Sequence, residues 1–127
     1  MPHLRTLRIH ASYITDEALQ ALAPALRGLR ALTTLDFRDN PISFVGYKAL
    51  LEPRKPRGAA LPNLTTLHLH TWLFGLNDFF AFAELVRQGR LPNIADINLF
   101  GGGLPKEATR AVRDAVTQRM LDRYNAA

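Results

Sequence analysis

The amino-acid sequence predicts an α/β fold: a short solenoid of about four strand–turn–helix repeats, with a curved parallel sheet and the helices on its convex side. The pattern L-x-x-L-x-L occurs four times, starting at Leu4, Leu32, Leu64 and Ile94, so the starts lie 28, 32 and 30 residues apart. A helical pattern follows each copy. Because one such unit cannot bury its own apolar face, neighbouring units must stack to form a continuous core.

Each copy of the pattern predicts one short strand. Side chains alternate across a strand, so the apolar residues of the pattern point towards the core, and the residues between and after them point to the opposite, exposed face. A further apolar residue follows five positions after each copy, at Ile14, Ile42, Phe74 and Leu104. These four residues extend the predicted core into the turn that leads to each helix.

The four predicted helices begin at residues that cap helices or fit their first turn: Thr15, Ser43, Asn77 and Pro105. Gly28 can end the first helix, and Pro24 within it should shorten or kink it. The fourth helix, from about Pro105 to Tyr124, is the longest. It could cap the C-terminal end of the solenoid.

The third predicted helix is unusually apolar. The spacing of Phe79, Phe82 and Val86 predicts that these residues form the stripe facing the core. Leu76 and Phe80 then point towards neighbours or solvent. They either extend the core or contact a partner.

The clearest repeat is LTTLDFRDNPISFVGYKALL, in which Asn40, Ile42, Gly46 and Leu50 continue the pattern as L-x-x-L-x-L-x-x-N-x-L-x-x-x-G-x-x-x-L. This repeat resembles the leucine-rich repeat family, in the long-repeat subclass typified by ribonuclease inhibitor. The resemblance covers nearly the whole chain. It implies a single domain over residues 1–127, with repeats at about 4–31, 32–63, 64–93 and 94–124. It also implies a binding surface rather than an enzyme, because the family mostly supplies binding surfaces.

In this family the asparagine normally bonds the backbone of the adjacent turn, and the glycine lets the helix approach its neighbour. The positions equivalent to Asn40 hold Ser12, Trp72 and Gly102, so we expect less regular turns than in longer members. Trp72 is the largest departure. It is either a filler of the core or turn, or an exposed anchor at the rim of the sheet, since tryptophan is enriched in binding hot spots.

The composition is that of an ordinary globular protein, with 47% hydrophobic and 21% charged residues among 127. The absence of cysteine excludes disulfides and thiolate chemistry, which fits an intracellular protein, most simply a cytoplasmic one. No apolar run approaches the roughly 18 residues of a membrane helix. Arg5 and Arg8 give the first residues a mild likeness to a mitochondrial targeting peptide, but Leu4, Leu7 and Ile9 are in phase with the repeat.

The exposed face of the strands is the predicted partner-binding surface. Its candidate residues come from all four strands and the turns after them: Arg8, His10, Asp36, Arg38, His68, His70, Trp72, Asn98 and Phe100. Four strands about 4.8 Å apart give a sheet only about 20 Å wide, which is small for a tight complex. The open flank with Leu4, Leu7 and Ile9 is therefore a second candidate. Self-association, docking in a larger complex or further repeats of a longer chain could cover it.

His68 and His70 lie two residues apart in LTTLHLHTW, which raises the question of a metal site. Asp36 or Asp96 on a neighbouring strand could supply a third ligand, but no spacing motif supports zinc. The simpler interpretation is cross-strand pairing, in which Asp36 neutralises Arg8 and His68 for about 0.2–1 kcal/mol per pair. We expect no metal and no cofactor. A small metal-binding or hydrolytic protein is the less favoured alternative, and neither of the two serines lies in a G-x-S-x-G setting.

The chain is basic, with a formal net charge of +5 and a pI of about 10.2. An acidic protein surface, nucleic acid or an anionic membrane would each complement that charge. Arg54, Lys55 and Arg57 form a basic loop, which is either a solvated connector or a contact for an acidic partner or phosphate. We expect a module that binds another protein. The alternative is a basic accessory subunit of an RNA–protein assembly, although no aromatic platform for base stacking is evident.

Overall fold

The computed structural model describes residues 3–52, 60–101 and 103–126. Its strands and helices alternate along the chain as β1 Thr6–Arg8, α1 Asp16–Arg27, β2 Thr34–Asp36, α2 Phe44–Leu51, β3 Thr66–His70, α3 Leu76–Arg87, β4 Asp96–Phe100 and α4 Lys106–Ala126. The described residues therefore form an α/β fold of four strands and four helices, as the sequence predicts. The basic loop with Arg54, Lys55 and Arg57 lies outside the described residues, and so does Gly102.

The four strands form one parallel sheet in the order β1-β2-β3-β4, so each strand lies beside the strand of the next repeat. The register aligns Leu7, Leu35, Leu67 and Ile97, and this alignment confirms the one predicted from the repeat. Because parallel crossovers are right-handed, this strand order puts the connecting helices on one face of the sheet. The opposite face is the exposed strand face.

The core lies between the sheet and the helices. The apolar residues of the second and third copies of the pattern are 0–1% exposed: Leu32, Leu35, Phe37, Leu64, Leu67 and Leu69. Leu19, Leu50 and Phe82 join the same cluster from the first three helices. Full burial of such a side chain contributes about 1.5–3 kcal/mol, so the two inner repeats are the main source of hydrophobic stabilisation.

The outer repeats are less completely buried, and among the described residues no further strand pairs with the outer edge of β1 or of β4. Leu7 and Ile9 at β1 are only partly buried, and so are Ile97 and Leu99 at β4. The sequence predicts the open flank at β1. The open flank at β4 differs from the expected cap, because α4 packs chiefly against α3 and leaves the edge of β4 uncovered.

The ends of the first two helices follow the sequence closely. The Thr15 hydroxyl caps α1 and the Ser43 hydroxyl caps α2, each accepting a hydrogen bond from a backbone N–H of the first turn. Gly28 ends α1, as predicted. Pro24 lies inside α1 and does not shorten it. The Gly28 N–H holds the last turn by donating to the carbonyls of Pro24 and Ala25, both at 3.1 Å.

The third and fourth helices begin at different residues from those expected. The cap of α3 is Gly75, two residues before Asn77. The Asp78 carboxylate accepts the Gly75 N–H at 2.7 Å, which is the reciprocal bond of a capping box, while glycine has no side chain to accept an N–H of the first turn. Pro105 directly precedes α4, which begins at Lys106. No helix in the described part of the chain is long and apolar enough to cross a membrane.

The predicted burial pattern of α3 is confirmed. Phe79, Phe82 and Val86 are at most 3% exposed, whereas Leu76 is 53% and Phe80 is 41% exposed. The extra apolar residues of this helix therefore reach solvent rather than enlarge the core.

Gly46 allows α2 to approach the first helix. A Cβ atom at this position would lie 2.6 Å from Asp16 Oδ1 and 2.8 Å from Ile42 Cγ2, closer than real Cβ contacts. The Asp16 carboxylate in turn accepts the Ser43 N–H at 2.7 Å. The close helix approach expected at this glycine is confirmed.

Asn40 joins the turns of the first two repeats. Its side chain is buried, and its Oδ1 accepts the backbone N–H groups of Ser12 and Ile14, both at 3.0 Å. Its Nδ2 donates to the carbonyls of Ile9 and Phe37. This asparagine therefore bonds the backbone of the adjacent turn, as expected.

Candidate functional site

The candidate site is the exposed strand face, near the carboxyl ends of the strands. In β3, Leu67 and Leu69 are buried while His68 and His70 are partly exposed, which is the alternation that the sequence predicts. Most of the other candidate residues are also exposed or partly exposed: Arg8, His10, Arg38, Trp72, Asn98 and Phe100. Asp36 is the departure, since its side chain is fully buried.

Asp36 is buried beneath two neighbouring side chains. The Arg38 guanidinium lies over it, with Nε at 3.0 and 3.1 Å from the two carboxylate oxygens and Nη2 at 2.8 Å from Oδ2. The Arg38 backbone N–H donates to Oδ1 at 3.1 Å. On the other side, His10 Nε2 lies 2.7 Å from Oδ2. Arg38 therefore binds the carboxylate in the bidentate geometry typical of strong arginine–carboxylate pairs.

The predicted pairing of Asp36 with Arg8 and His68 is wrong in its partners, although the register is right. Arg8, Asp36 and His68 do lie beside one another across β1, β2 and β3. The carboxylate instead bonds Arg38 and His10, each two residues beyond a paired strand residue. Both strands end at the paired position, and the residues that follow each strand place these two side chains over Asp36.

This environment holds Asp36 in its charged form. Burial by itself raises the pKa of a carboxyl group, but the hydrogen bonds from Arg38 and then from His10 outweigh that effect, and the pKa of Asp36 lies well below its usual value. The hydrogen bond to Asp36 likewise raises the pKa of Arg38. Asp36 and Arg38 are therefore an ion pair throughout the physiological pH range.

The ion pair positions Arg38 against an aromatic group from the last strand. The guanidinium carbon of Arg38 lies 4.9 Å from the centroid of the Phe100 ring, within the range of a cation–π contact. The Phe100 ring also lies beside His68 and His70, with ring centroids 6.0 and 5.8 Å apart. Side chains from β3, from β4 and from the turn after β2 thus meet in one cluster.

Trp72 continues the cluster at the end of β3. Its ring stacks on that of His70, with centroids 4.0 Å apart and an interplanar angle of 29°. The residue is 59% exposed, so the interpretation of Trp72 as a core filler is wrong. An indole that is held on one side and open on the other has the geometry of a contact residue, and its role as an anchor stays a prediction.

Asp39 is a site residue that the sequence reasoning missed. Its backbone N–H donates to His70 Nδ1 at 2.6 Å, and its carboxylate Oδ1 lies 3.6 Å from the same nitrogen. The backbone of Asp39 has a φ of +64°, which turns the chain towards β3. The signal was present in the Asp-Asn-Pro sequence after β2, because these residues favour turns.

His68 and His70 each make a hydrogen bond with a neighbouring residue. His68 Nδ1 lies 3.1 Å from the Asn98 amide nitrogen, and His70 Nδ1 accepts the Asp39 N–H. Asp36, one of the two candidates for a third ligand beside Asp96, is enclosed by Arg38 and His10. Within the described ranges, no group of three or more histidine, cysteine, aspartate or glutamate residues could hold a metal ion.

Comparison with known proteins supports the fold. No family model matches the sequence, and no curated protein matches it. Among solved structures, the chain is similar to leiomodin-1 actin-binding site 2, with a TM-score of 0.75 and 16% sequence identity. The match covers 97% of this chain and 68% of that one. At this identity the likeness concerns the fold alone.

Proposed function

We propose that the chain is a short leucine-rich-repeat solenoid of the long-repeat subclass, without enzymatic activity, that binds another protein through its exposed strand face. Support for the family comes from the four aligned apolar triads and from Asn40 and Gly46, whose contacts match their expected roles. In this proposal the protein acts inside the cell, as an interaction module or a subunit of a larger complex.

The observation that carries this proposal is the ordered cluster of Arg38, Phe100, His70 and Trp72. Arginine and tryptophan are enriched among residues that dominate binding energies. Here each is held before any partner arrives: Arg38 by the buried Asp36, and Trp72 by the ring of His70. A surface that is already ordered loses less conformational entropy on binding.

The charge and the structural comparison both favour a protein partner. The net charge of +5 and the exposed basic residues of the strand face suit an acidic surface. The similar solved structure is described as an actin-binding site, which supports the use of this fold in protein recognition.

The test compares Trp72→Ala with Phe80→Ala, because Phe80 is an exposed aromatic residue on α3, away from the strand face, and is the other aromatic candidate for a partner contact. Each immobilised variant is used to capture proteins from the source cells, and each captured protein is then purified and titrated. We expect a partner whose Kd rises about 30-fold with Trp72→Ala, the effect of losing about 2 kcal/mol, and stays unchanged with Phe80→Ala. If every captured protein binds the two variants equally well, the strand face is not the binding surface.

Filamentous actin is the first purified probe, because it follows from the description of the similar structure. Co-sedimentation that is lost with Trp72→Ala and kept with Phe80→Ala would identify actin as the partner. If the wild-type chain does not co-sediment, actin is excluded and the captured proteins are tested instead.

A further inference from the structure

The two ends of the sheet carry complementary surfaces. At the β1 end, Leu7 and Ile9 are partly exposed, whereas the equivalent Leu35 of the second repeat is 0% exposed. At the β4 end, a cavity of about 450 Å³ opens between β4 and α4, and Ile97 and Leu99 line its strand side. One end thus presents apolar side chains, and the other presents a recess whose lining combines apolar side chains such as Ile97 and Leu99 with polar ones such as Asp96 and Asn98.

The recess has the position that the next repeat occupies elsewhere in the chain. Inside the protein, the apolar triad of each repeat joins one continuous core with the strand and helix of the repeat before it. Leu4, Leu7 and Ile9 have the same side-chain size as Ile94, Ile97 and Leu99, since all six carry four-carbon aliphatic groups. We propose that a second copy of this chain docks head to tail, with its Leu4, Leu7 and Ile9 entering the recess beside β4.

The unpaired backbone N–H and C=O groups at the outer edges of β1 and β4 belong to the residues that this parallel pairing requires. In the first repeat, the Arg5 carbonyl and the Ile9 N–H form hydrogen bonds with β2. Because successive residues of a strand direct their backbone groups to opposite sides, the N–H and C=O groups of Thr6 and Arg8 point to the outer edge. Towards β3, the last repeat uses the Asp96 N–H and the Phe100 carbonyl. By the same alternation, the N–H and C=O groups of Ile97 and Leu99 point to the outer edge of β4.

The paired inner strands show the same combination of inward-facing and exposed-face residues. From β2 to β3, the Thr33 carbonyl accepts the Thr66 N–H, and the Phe37 N–H donates to the His68 carbonyl. In the earlier strand, the hydrogen bonds are therefore made by the backbone groups of residues whose side chains face the core. In the later strand, they are made by the backbone groups of residues whose side chains lie on the exposed face. A β1 strand added to β4 would repeat this arrangement and extend the parallel sheet.

The same register would also place opposite charges near each other across the contact between the two copies. The internal alignment places Arg8, Asp36, His68 and Asn98 at one level of the sheet, so Arg8 of the incoming copy would lie opposite Asn98. Arg8 would then be diagonal to Asp96, where an opposite charge attracts across about 7–8 Å. Arg113, the other charged residue beside the recess, lies on α4 rather than on the strand.

Because the two surfaces differ, the contact does not close on itself after two copies, and further copies can add. The inference rests on the repeat stacking of the proposed fold and not on a partner at the strand face. Its test contains only the purified chain, so its outcome is separate from that of the Trp72 capture experiment.

Sedimentation velocity across a wide concentration range provides the test. We expect an average mass that rises with concentration beyond two copies. Arg8→Glu and Asp96→Arg should each raise the concentration of half-association about 3- to 10-fold, because each opposes like charges across the contact. An equimolar mixture of the two variants should associate again, since both contacts between unlike chains are then attractive. Lys48→Glu, an exposed residue on α2 with the same change of charge as Arg8→Glu, is the control and should behave as wild type.

Thr6→Pro provides an independent check, because it removes an N–H that faces the free edge and leaves the bonds from β1 to β2 in place. Circular dichroism confirms that each variant is folded. A wild-type chain that is monomeric at every concentration would overturn the proposal. So would association that both charge reversals leave unchanged, or a mixture that associates no better than its components.

Discussion

Asp36→Asn is the substitution that tests the strand face most directly, because it removes the charge that holds Arg38 and keeps the shape of the side chain. Removing one partner of a buried charge pair costs about 3–5 kcal/mol. The side chains of Arg38 and His10 are 33% and 38% exposed, so water replaces part of what they lose. We therefore expect the free energy of unfolding to fall by about 2–3 kcal/mol at pH 7.

The same substitution should change how stability depends on pH. The pKa of Asp36 is lower in the folded protein than its unfolded value of about 3.9. The unfolded chain therefore takes up the proton first, and the stabilisation by Asp36 is complete above about pH 5 and declines as the pH falls below about 4. The difference between wild type and Asp36→Asn should then shrink between pH 5 and pH 3.

Equilibrium urea unfolding, followed by circular dichroism at several pH values, measures both effects, and an unchanged m-value shows that the unfolded states are comparable. Asp39→Asn is the matched control, since the Asp39 side chain is 55% exposed and asparagine tolerates its left-handed backbone. A cost for Asp36→Asn below about 0.5 kcal/mol, within the range of ordinary surface substitutions, would refute the reasoning. A cost that is the same at pH 3 and pH 7 would refute it equally.

Three further substitutions, one of them with a matched control, test the packing that positions the site. Asn40→Ala should lower the free energy of unfolding by about 2–4 kcal/mol, because it leaves partly buried backbone groups of the adjacent turn unpaired; full hydrogen-exchange protection of that turn would contradict this. Gly46→Ala should cost about 1–2 kcal/mol in thermal unfolding, since the added Cβ meets Asp16 and outweighs the gain in helix propensity; a more stable variant would contradict it. Phe82→Ala should cost about 3–5 kcal/mol and Phe80→Ala below about 1 kcal/mol in urea unfolding; similar costs would mean that the burial of α3 is wrongly assigned.

The strands and their register could be predicted because they depend on a pattern that repeats. Leu7, Leu35, Leu67 and Ile97 occupy the same position in four units, and a slip of one residue would move every apolar side chain to the exposed face. Each of the four copies predicts the same strand register, so the prediction of the fold does not depend on the interpretation of any single residue.

The helix ends were less predictable where the cap is not a side chain of the capping residue. Thr15 and Ser43 carry hydroxyl groups that accept backbone N–H groups, so residue type alone identifies them. At α3 the cap residue Gly75 has no side chain, and its own N–H donates to the Asp78 carboxylate. Asn77 is as good a capping residue by type, and only the path of the chain decides between the two positions.

The site could be predicted as a set of residues but not as a set of contacts. Strand alternation places His68 and His70 on the exposed face, and the structure agrees. Alternation ends with the strand, however, and the contacts of Arg38 and His10 with Asp36 are made by residues beyond β1 and β2. Their positions depend on local turns such as that of Asp39, with its positive φ, and a periodic pattern has no information about such turns.

The buried carboxylate makes the binding surface and the stability of the protein interdependent. Asp36 holds Arg38, and Arg38 lies over Phe100 from the last strand, so one ion pair connects β2 to β4 across the exposed face. Loss of the charge should therefore disorder Arg38 and weaken partner binding as well as folding. Trp72→Ala removes only an exposed ring, so it should weaken binding and leave the free energy of unfolding nearly unchanged. A partner that is sensitive to both substitutions, in a protein that is destabilised by only one of them, would show that Asp36 acts on binding through the order it gives to Arg38.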